Sequence, residues 1–278
     1  MKMNSNFEKY ILDYLNSQRN CTITDAMKYS MEGGKRFRAR IIFAILQGLG
    51  ICEEEGYDAG LALEMIQSYS LIHDDLPAMD NDDFRRGRPS THKAFREDIA
   101  ILAGDELLTD SFKVLVQSKK YDAQTKVNLV EAFSRYAGLD GMVYGQLLDV
   151  TSSSKDIDEK LLFEIQDNKT GGLFKIACLS AMFIGKIDRY DYYLGLGSRI
   201  GQIFQNQDDL FDMIRSEEET RKSNSDLKND KGTALCLYSI DELKELIDNE
   251  FEELGSYLDA ARFDTSMLME LIDMLKNR

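Results

Sequence analysis

The chain has few of the residues that interrupt helices, since only 2 of its 278 residues are proline. Both of them, Pro77 and Pro89, flank one short segment. The β-branched runs that mark strands are also scarce, and we find neither an internal repeat of fixed period nor a linker rich in proline, glycine or serine. The sequence therefore predicts an all-α fold, with one domain of roughly ten helices over residues 1–278.

Metal-binding cysteine pairs and long apolar runs are also lacking, and we expect no secretory signal. The 4 cysteines form no CxxC pair, which argues against a zinc site or a disulfide framework and favours reduced thiols. The longest apolar run, 173–185, contains Lys175 and is too short to cross a membrane, so we expect it to form a buried helix. Glu8 and Asp13 interrupt the first apolar stretch, unlike a secretory signal. We therefore expect a cytoplasmic protein without membrane insertion.

Positive charge is outnumbered overall, with 34 lysines and arginines against 49 aspartates and glutamates, but it is locally concentrated. The formal net charge of −15 argues against nonspecific binding of nucleic acid, so we expect no nucleic-acid partner. Two tight basic clusters nevertheless stand out, one with Lys35, Arg36, Arg38 and Arg40, the other with Arg85, Arg86 and Arg88. An acidic chain with two such clusters indicates a small polyanionic ligand.

Two aspartate clusters are the most informative motifs that are present. The first, DDLPAMD, contains Asp74, Asp75 and Asp80, and the second, DDLFD, contains Asp208, Asp209 and Asp212. Neighbouring carboxylates in an apolar segment repel one another unless a cation lies between them. Hard oxygen ligands suit Mg²⁺, which completes its shell with water and phosphate. The six aspartates therefore predict a diphosphate held through Mg²⁺ between two facing helices.

The two clusters need different backbone geometry. Asp208 and Asp212 share one face of an ideal helix, and Gln205 lies one turn earlier on the same side. Asp74 and Asp80 are six residues apart, which would turn them to different faces. Because Pro77 loosens a helix, we expect a bulge at residues 76–79 that returns Asp80 to the side of Asp74.

The stretch SLIHDDLPAMDNDDFRRGRPSTHKAF resembles the first aspartate-rich motif of the trans-polyprenyl diphosphate synthases, in the form found in bacterial farnesyl diphosphate synthases. Other landmarks of that family follow in order as GGKRFRAR, GQLLD, KTG and FQNQDDLFD, so that the matches span about residues 30–212. The resemblance implies the isoprenoid synthase fold, a helical bundle around a deep central cavity, and commonly a homodimer.

The resemblance also implies a reaction, in which an allylic diphosphate ionises and joins isopentenyl diphosphate head to tail. More than one Mg²⁺ would bind with the allylic diphosphate on Asp74, Asp80 and Asp208, with Asp75, Asp209 and Asp212 bound directly or through water. The residues expected to hold that diphosphate are Arg85, Lys169 and Lys222, while Thr170 and Gln205 would face the carbocation. The residues expected to bind isopentenyl diphosphate are Lys35, Arg38, Gln67 and Arg86. Departing pyrophosphate would accept the final proton.

The length of the isoprenoid product depends on the depth of the cavity. The growing tail extends away from Asp74 towards earlier residues, and one helical turn is about 5.4 Å. Tyr69 and Ser70 are therefore the predicted floor. In the family, an aromatic residue at this level tends to stop growth at the fifteen-carbon product, so Tyr69 indicates farnesyl diphosphate.

Several alternatives remain open at this point. Geranyl or geranylgeranyl diphosphate synthesis is the nearest one, and a noncatalytic subunit that tunes a partner prenyltransferase is another. A class I terpene cyclase shares the ionisation chemistry but has no need of the second anion site at Lys35 and Arg38.

The polar segment 216–232 is predicted to form a mobile lid. The family pattern breaks in this segment and just after it. Arg221 stands in place of a glycine, and Ala234 and Leu235 stand in place of a tyrosine and a proline.

Overall fold

The computed structural model describes residues 5–153, 155, 157–218 and 234–276, which form thirteen α-helices, one β-hairpin and two 3₁₀ turns. The helices are α1 (Ser5–Ser17), α2 (Thr22–Met31), α3 (Phe37–Gly48), α4 (Tyr57–Asp74), α5 (Thr91–Phe95), α6 (Glu97–Gln117), α7 (Ala123–Ala137), α8 (Met142–Thr151), α9 (Glu159–Lys169), α10 (Gly171–Ile184), α11 (Tyr190–Glu218), α12 (Ile240–Leu258) and α13 (Ser266–Lys276). The 3₁₀ turns are Glu53–Gly56 and Ala234–Cys236. The predicted all-α class is confirmed.

Helix α10 runs through the centre of the bundle, and nearly all of its residues are buried. Glycines of α11 permit a close approach, since a Cβ added at Gly197 or Gly201 would lie 2.6 Å from the Cα of Lys175 or Gly171. Lys175, the charge inside the predicted buried helix, is paired with Asp167 at 2.7 Å. A buried charge is tolerated only with such a partner.

Helix α4 is buried along almost its whole length and packs against α6. The contact is tight where Gly104 meets His73, because a Cβ at Gly104 would lie 2.3 Å from the Nε2 atom of His73. The same histidine nitrogen lies 3.2 Å from the carbonyl oxygen of Ile101, so His73 contributes to the packing of α4 against α6. This packing fixes the end of α4, where Asp74 lies.

The hairpin pairs β1 (Phe84–Arg85) with β2 (Arg88–Pro89) in antiparallel register. Arg86 and Gly87 both have positive φ, at 53° and 76°, as two-residue hairpin turns require. The Tyr29 hydroxyl donates to the carbonyl oxygen of Pro89 at 2.7 Å, and the Arg88 guanidinium lies 4.0 Å from the centre of the Tyr29 ring. The second basic cluster is thereby fixed against α2.

Helix α11 continues to Glu218, so residues 216–218 are helical and the predicted lid segment does not begin at residue 216. The remainder of that segment, including Arg221 and Lys222, lies outside the described residues. A second, smaller hydrophobic cluster joins the ends of α9 and α11 to α12 and the 3₁₀ turn at Ala234. In the described part of the chain, no helix has the length and apolar character of a membrane span.

Candidate active site

A cavity of about 420 Å³ lies between α3, α4, α8, α10 and α11. Its wall brings together Asp74 from the first aspartate cluster and Asp208 from the second, which are 134 positions apart in the sequence. The other lining residues predicted from the sequence are Arg38, Gln67, Tyr69, Ser70, Lys169, Thr170 and Gln205. Ligand sites commonly have this size and carry a few polar groups on a mostly apolar wall.

The first aspartate cluster lies where α4 ends. The expected bulged helix is wrong, because α4 stops at Asp74 and a series of turns follows. These turns nevertheless return the chain as expected, since the amide of Asp80 donates to the carbonyl oxygen of Asp74 at 2.8 Å. The Nε2 atom of Gln146, on α8, donates to the Asp74 carboxylate at 3.1 Å. Asp74 is therefore oriented from both helices.

Asp75 points away from the cavity and is almost fully buried. Burial raises the pKa of its carboxyl group, and Arg85, whose Nε atom donates at 2.9 Å, opposes that rise. Arg85 also lies 3.6 Å from Asp82. In this structure Arg85 therefore pairs with Asp75 and Asp82, and its role with a diphosphate stays a prediction.

The second aspartate cluster belongs to a hydrogen-bonded chain. The Thr170 hydroxyl donates to Gln205 at 2.6 Å, and the Gln205 amide donates to Asp209 at 2.8 Å. The other Asp209 oxygen accepts from the backbone amide of Ala234 at 3.0 Å. Asp208 is left as the member that faces the cavity, while Asp212 is exposed one turn further along.

Lys169, at the end of α9, forms an ion pair with the buried carboxylate of Asp149 on α8. The two helices meet at Gly145, where an added Cβ would lie 2.1 Å from the backbone nitrogen of Lys169. Gln146 and Asp149 belong to the GQLLD motif but were not predicted as site residues. Their helical spacing of three, directly after a glycine, is the signal that could have identified them.

The members of the basic cluster at the start of α3 lie in different environments, and only some of them face the cavity. Arg36 has a left-handed backbone conformation, with φ of 53°, and is buried against Glu8 at 2.8 Å and Glu64 at 3.4 Å. Arg38 lines the cavity, with its guanidinium 4.7 Å from the ring centre of Phe174. Lys35 is exposed. Within this cluster, Arg38 is therefore the side chain turned towards the cavity.

The remaining residues predicted for isopentenyl diphosphate lie on two sides of α4. Gln67 lines the cavity, and its Oε1 atom is buried without a hydrogen-bond partner among the described residues. Arg86 donates to the carbonyl oxygen of Glu32 at 3.0 Å and lines a smaller neighbouring pocket together with Arg85. The structure thus brings Arg38 and Gln67 to one cavity and leaves Arg86 beside it.

Tyr69 and Ser70, the predicted floor, both line the cavity one turn before Asp74. The Tyr69 ring packs edge-on against the ring of His73, with the ring centres 5.7 Å apart. Burial and the charge of Asp74 raise the pKa of the Tyr69 hydroxyl to about 12. Tyr69 is therefore a neutral wall residue at neutral pH.

The donor set fits magnesium. Among residues 5–153, 155, 157–218 and 234–276, no three acidic, histidine or cysteine side chains converge on one point. Asp74 and Asp208 instead approach a shared cavity from opposite helices. Mg²⁺ commonly uses one or two carboxylates and completes its shell with water and substrate phosphate, so two separate aspartates suit an ion that arrives with a diphosphate.

Comparison with known proteins gives a consistent result. The family model "Polyprenyl synthetase" matches residues 20–262. Farnesyl diphosphate synthase of Micrococcus luteus is 39% identical over 258 residues, which cover 91% of this chain and 88% of that protein. The Bacillus subtilis enzyme of the same name is 37% identical, with 92% and 89% covered. Geranylgeranyl diphosphate synthase of Cyanophora paradoxa is 37% identical, with 92% and 87% covered.

Solved structures share the whole architecture. A geranyltransferase from Legionella pneumophila superposes with a TM-score of 0.85 at 31% identity, covering 99% of this chain and 95% of that one. A geranyltransferase from Helicobacter pylori, complexed with magnesium and isoprenyl diphosphate, superposes with a TM-score of 0.83 at 27% identity, covering 98% and 94%.

Proposed function

Because this chain belongs to the polyprenyl synthetase family, we propose that it is a Mg²⁺-dependent prenyltransferase that makes farnesyl diphosphate. It joins isopentenyl diphosphate head to tail to dimethylallyl or geranyl diphosphate and releases pyrophosphate. The observation that carries the proposal is the shared cavity, where Asp74 and Asp208 lie opposite each other with Arg38 and Lys169 in the same wall. Relatives named farnesyl diphosphate synthase support the product.

Asp74, Asp80 and Asp208 would hold the metal, with Asp75, Asp209 and Asp212 around them. Bound Mg²⁺ supplies positive charge that makes diphosphate a better leaving group. Lys169 adds a fixed cation on the same cavity wall, and Asp149 keeps its ammonium in position.

The remaining polar groups serve the two substrates. Thr170 and Gln205 are joined to each other and line the cavity, where their oxygen dipoles would stabilise the allylic cation. Arg38 and Gln67 lie at the same cavity and would bind isopentenyl diphosphate, with Arg86 and Lys35 at its edge. A guanidinium pairs well with phosphate oxygens because its donors form a planar fork.

Product analysis tests this function. Purified protein with Mg²⁺ and isopentenyl diphosphate would be given five-, ten- or fifteen-carbon allylic diphosphate in separate reactions. Accumulation of a fifteen-carbon product is the expected result. A twenty-carbon end product, which the similarity to a geranylgeranyl diphosphate synthase makes the alternative, would keep the reaction and reject Tyr69 as the floor. No product from any starter would refute the proposal.

The proposal extends to a homodimer. Val143, Leu147 and Val150 form an apolar stripe on α8 and are 45%, 49% and 52% exposed. Ile101 and Leu102 on α6 are likewise 43% and 48% exposed. Such faces are costly in water and are typical of interfaces.

Light scattering would give the mass of the assembly in solution. We expect twice the chain mass for the unmodified protein and a shift towards the monomer for Leu147→Asp. A monomeric unmodified protein would reject the homodimer.

A single domain and a cytoplasmic location stay predictions from the sequence.

A further inference from the structure

Two buried amide side chains, Gln166 and Asn206, and the partly buried Glu250 connect α9, α11 and α12 behind the second aspartate cluster. The Gln166 amide donates to Asn206 Oδ1 at 2.8 Å, and Asn206 Nδ2 donates to the two carboxylate oxygens of Glu250 at 3.0 and 3.1 Å. Gln166 and Asn206 are only 5% and 3% exposed. Because an amide oxygen accepts and an amide nitrogen donates, this arrangement fixes the orientation of Asn206 between its two neighbours.

Glu250 has an environment that disfavours its charge. Burial raises the pKa of its carboxyl group to about 7, the hydrogen bond from Asn206 opposes that rise, and the neighbouring Glu253 adds to it. Among the described residues, no lysine or arginine forms an ion pair with Glu250. Burying a carboxyl group against an amide instead of a cation is costly. Stability alone therefore gives no reason for a glutamate at this position.

The location of this network next to the second aspartate cluster gives a reason for a glutamate at position 250. Asn206 lies two residues before Asp208, and Asp209 follows directly. Asp209 is held to the start of the next described segment, through the amide of Ala234 at 3.0 Å. Helix α12 and the chain leading into it are thus attached to α11 on both sides of Asp208, at Asn206 and at Asp209.

We propose that Glu250 is a positioning residue for the second aspartate cluster, and that through Asn206 it sets the placement of Asp208 towards a magnesium–diphosphate ligand. The inference rests on the proposed function. Without the Glu250 carboxylate, the Asn206 amide loses its acceptor in a buried site, and the surrounding turn of α11 has to repack to satisfy it. A displacement of about 1 Å is enough to weaken a binding or catalytic geometry strongly.

The test measures ligand binding separately from turnover. Calorimetry would record the affinity for inorganic pyrophosphate in the presence of Mg²⁺ for the unmodified protein, Glu250→Met, Glu250→Gln and the control Glu253→Gln. Glu253 is exposed on the same helix, so the control removes a like charge outside the network. We expect Glu250→Met to weaken binding by roughly tenfold or more, as partners of metal ligands do. Glu250→Gln keeps one acceptor oxygen for Asn206, so it and Glu253→Gln should bind as the unmodified protein does.

A KM comparison separates positioning from general loss of structure. The KM for isopentenyl diphosphate should stay within about twofold in Glu250→Met, because Arg38 and Gln67 lie on α3 and α4, whereas the network joins α9, α11 and α12. Equal affinity for magnesium–pyrophosphate in Glu250→Met and the unmodified protein would overturn the inference. An equal rise in the dissociation constant of magnesium–pyrophosphate and in the KM for isopentenyl diphosphate would overturn it as well.

A second pair of variants keeps the inference testable if Glu250→Met fails to fold. Asn206→Asp places two carboxylates against each other and should weaken binding. Adding Glu250→Gln exchanges the amide and the carboxylate between the two positions and should restore it. Failure of this rescue would overturn the inference. Unmodified protein that binds no magnesium–pyrophosphate would overturn the proposed function as well, whereas normal binding with unaffected variants would overturn the inference alone.

Discussion

Replacement of Gly145 by alanine should damage both stability and activity, because the added methyl group has no room. Its carbon would lie 2.1 Å from the backbone nitrogen of Lys169 and 2.6 Å from its Cα. Nonbonded carbon atoms prefer about 3.5–4.0 Å, so α8 and α9 would have to separate by about 1 Å or more. The obstacle is backbone, which cannot rotate aside as a side chain can.

The magnitude follows from two opposing effects. Alanine is favoured over glycine in a helix by about 1 kcal/mol, and overpacking costs about 1–3 kcal/mol or more. Because the obstacle is backbone, we place the overpacking cost at the upper end of that range, about 2–3 kcal/mol. The net loss is then about 1–2 kcal/mol, or a Tm lower by roughly 2–8 °C. Separation of α8 from α9 also disturbs the contacts of Gln146 with Asp74 and of Lys169 with Asp149. A misplacement of about 1 Å can reduce kcat/KM by roughly 100-fold.

The chain offers a matched control. Gly255 lies inside α12, and an added Cβ there would meet no atom within 4 Å. Gly255→Ala should therefore gain about 0.5–1 kcal/mol from helix propensity alone and leave turnover unchanged. Thermal denaturation and steady-state kinetics would be measured on both variants. Gly145→Ala with the Tm and kcat/KM of the unmodified protein would refute the argument for a tight contact between α8 and α9.

Four further outcomes are expected. Asp74→Ala and Asp208→Ala should each lower turnover by orders of magnitude with an unchanged circular dichroism spectrum, and full activity in both would contradict the metal assignment. Tyr69→Ala should lengthen the product measured by chromatography, whereas an unchanged product would place the floor elsewhere. Folding raises the Glu250 pKa from 4.5 to about 7, so its stabilising contribution is present below pH 4.5 and is lost as the pH rises through 7. In denaturant unfolding, the free energy of unfolding of Glu250→Gln should therefore match that of the unmodified protein near pH 4.5. Above pH 7 it should exceed it by up to roughly 3 kcal/mol. Equal free energies at pH 8 would argue against a Glu250 carboxylate that is disfavoured by burial. Arg36→Met should cost about 3–5 kcal/mol in the same assay, because buried carboxylates lose their cation, and an unchanged midpoint would contradict this.

Much of the fold could be predicted from local sequence. Two prolines in 278 residues, apolar residues at helical spacing and the absence of strand patterns are enough for an all-helical bundle. The buried helix α10 was predicted from one apolar run with a single lysine. The pairing of Lys175 with Asp167 was not, because helix packing brings that carboxylate to the lysine.

The chemistry of the candidate site was also present in the sequence. Two aspartate triads and two basic clusters indicate a metal–diphosphate ligand through charge alone, since such carboxylates need a cation wherever they lie. The spacing of Asp208 and Asp212 placed both on one helix. The bulge at Pro77 was wrong in detail, because α4 ends at Asp74. A proline can end a helix as well as distort it, and the turns after Asp74 form their own backbone hydrogen bonds.

The sequence by itself determined which residue types could bind a magnesium–diphosphate ligand, because charge and ligand preference belong to each side chain. Only the tertiary structure decided which members of each cluster face the cavity. Asp74 and Asp208 do, whereas Asp75 turns to Arg85 and Asp209 to Gln205 and the Ala234 amide. Adjacent residues on a helix point in different directions, and the neighbour each one meets depends on contacts between chain segments far apart in sequence.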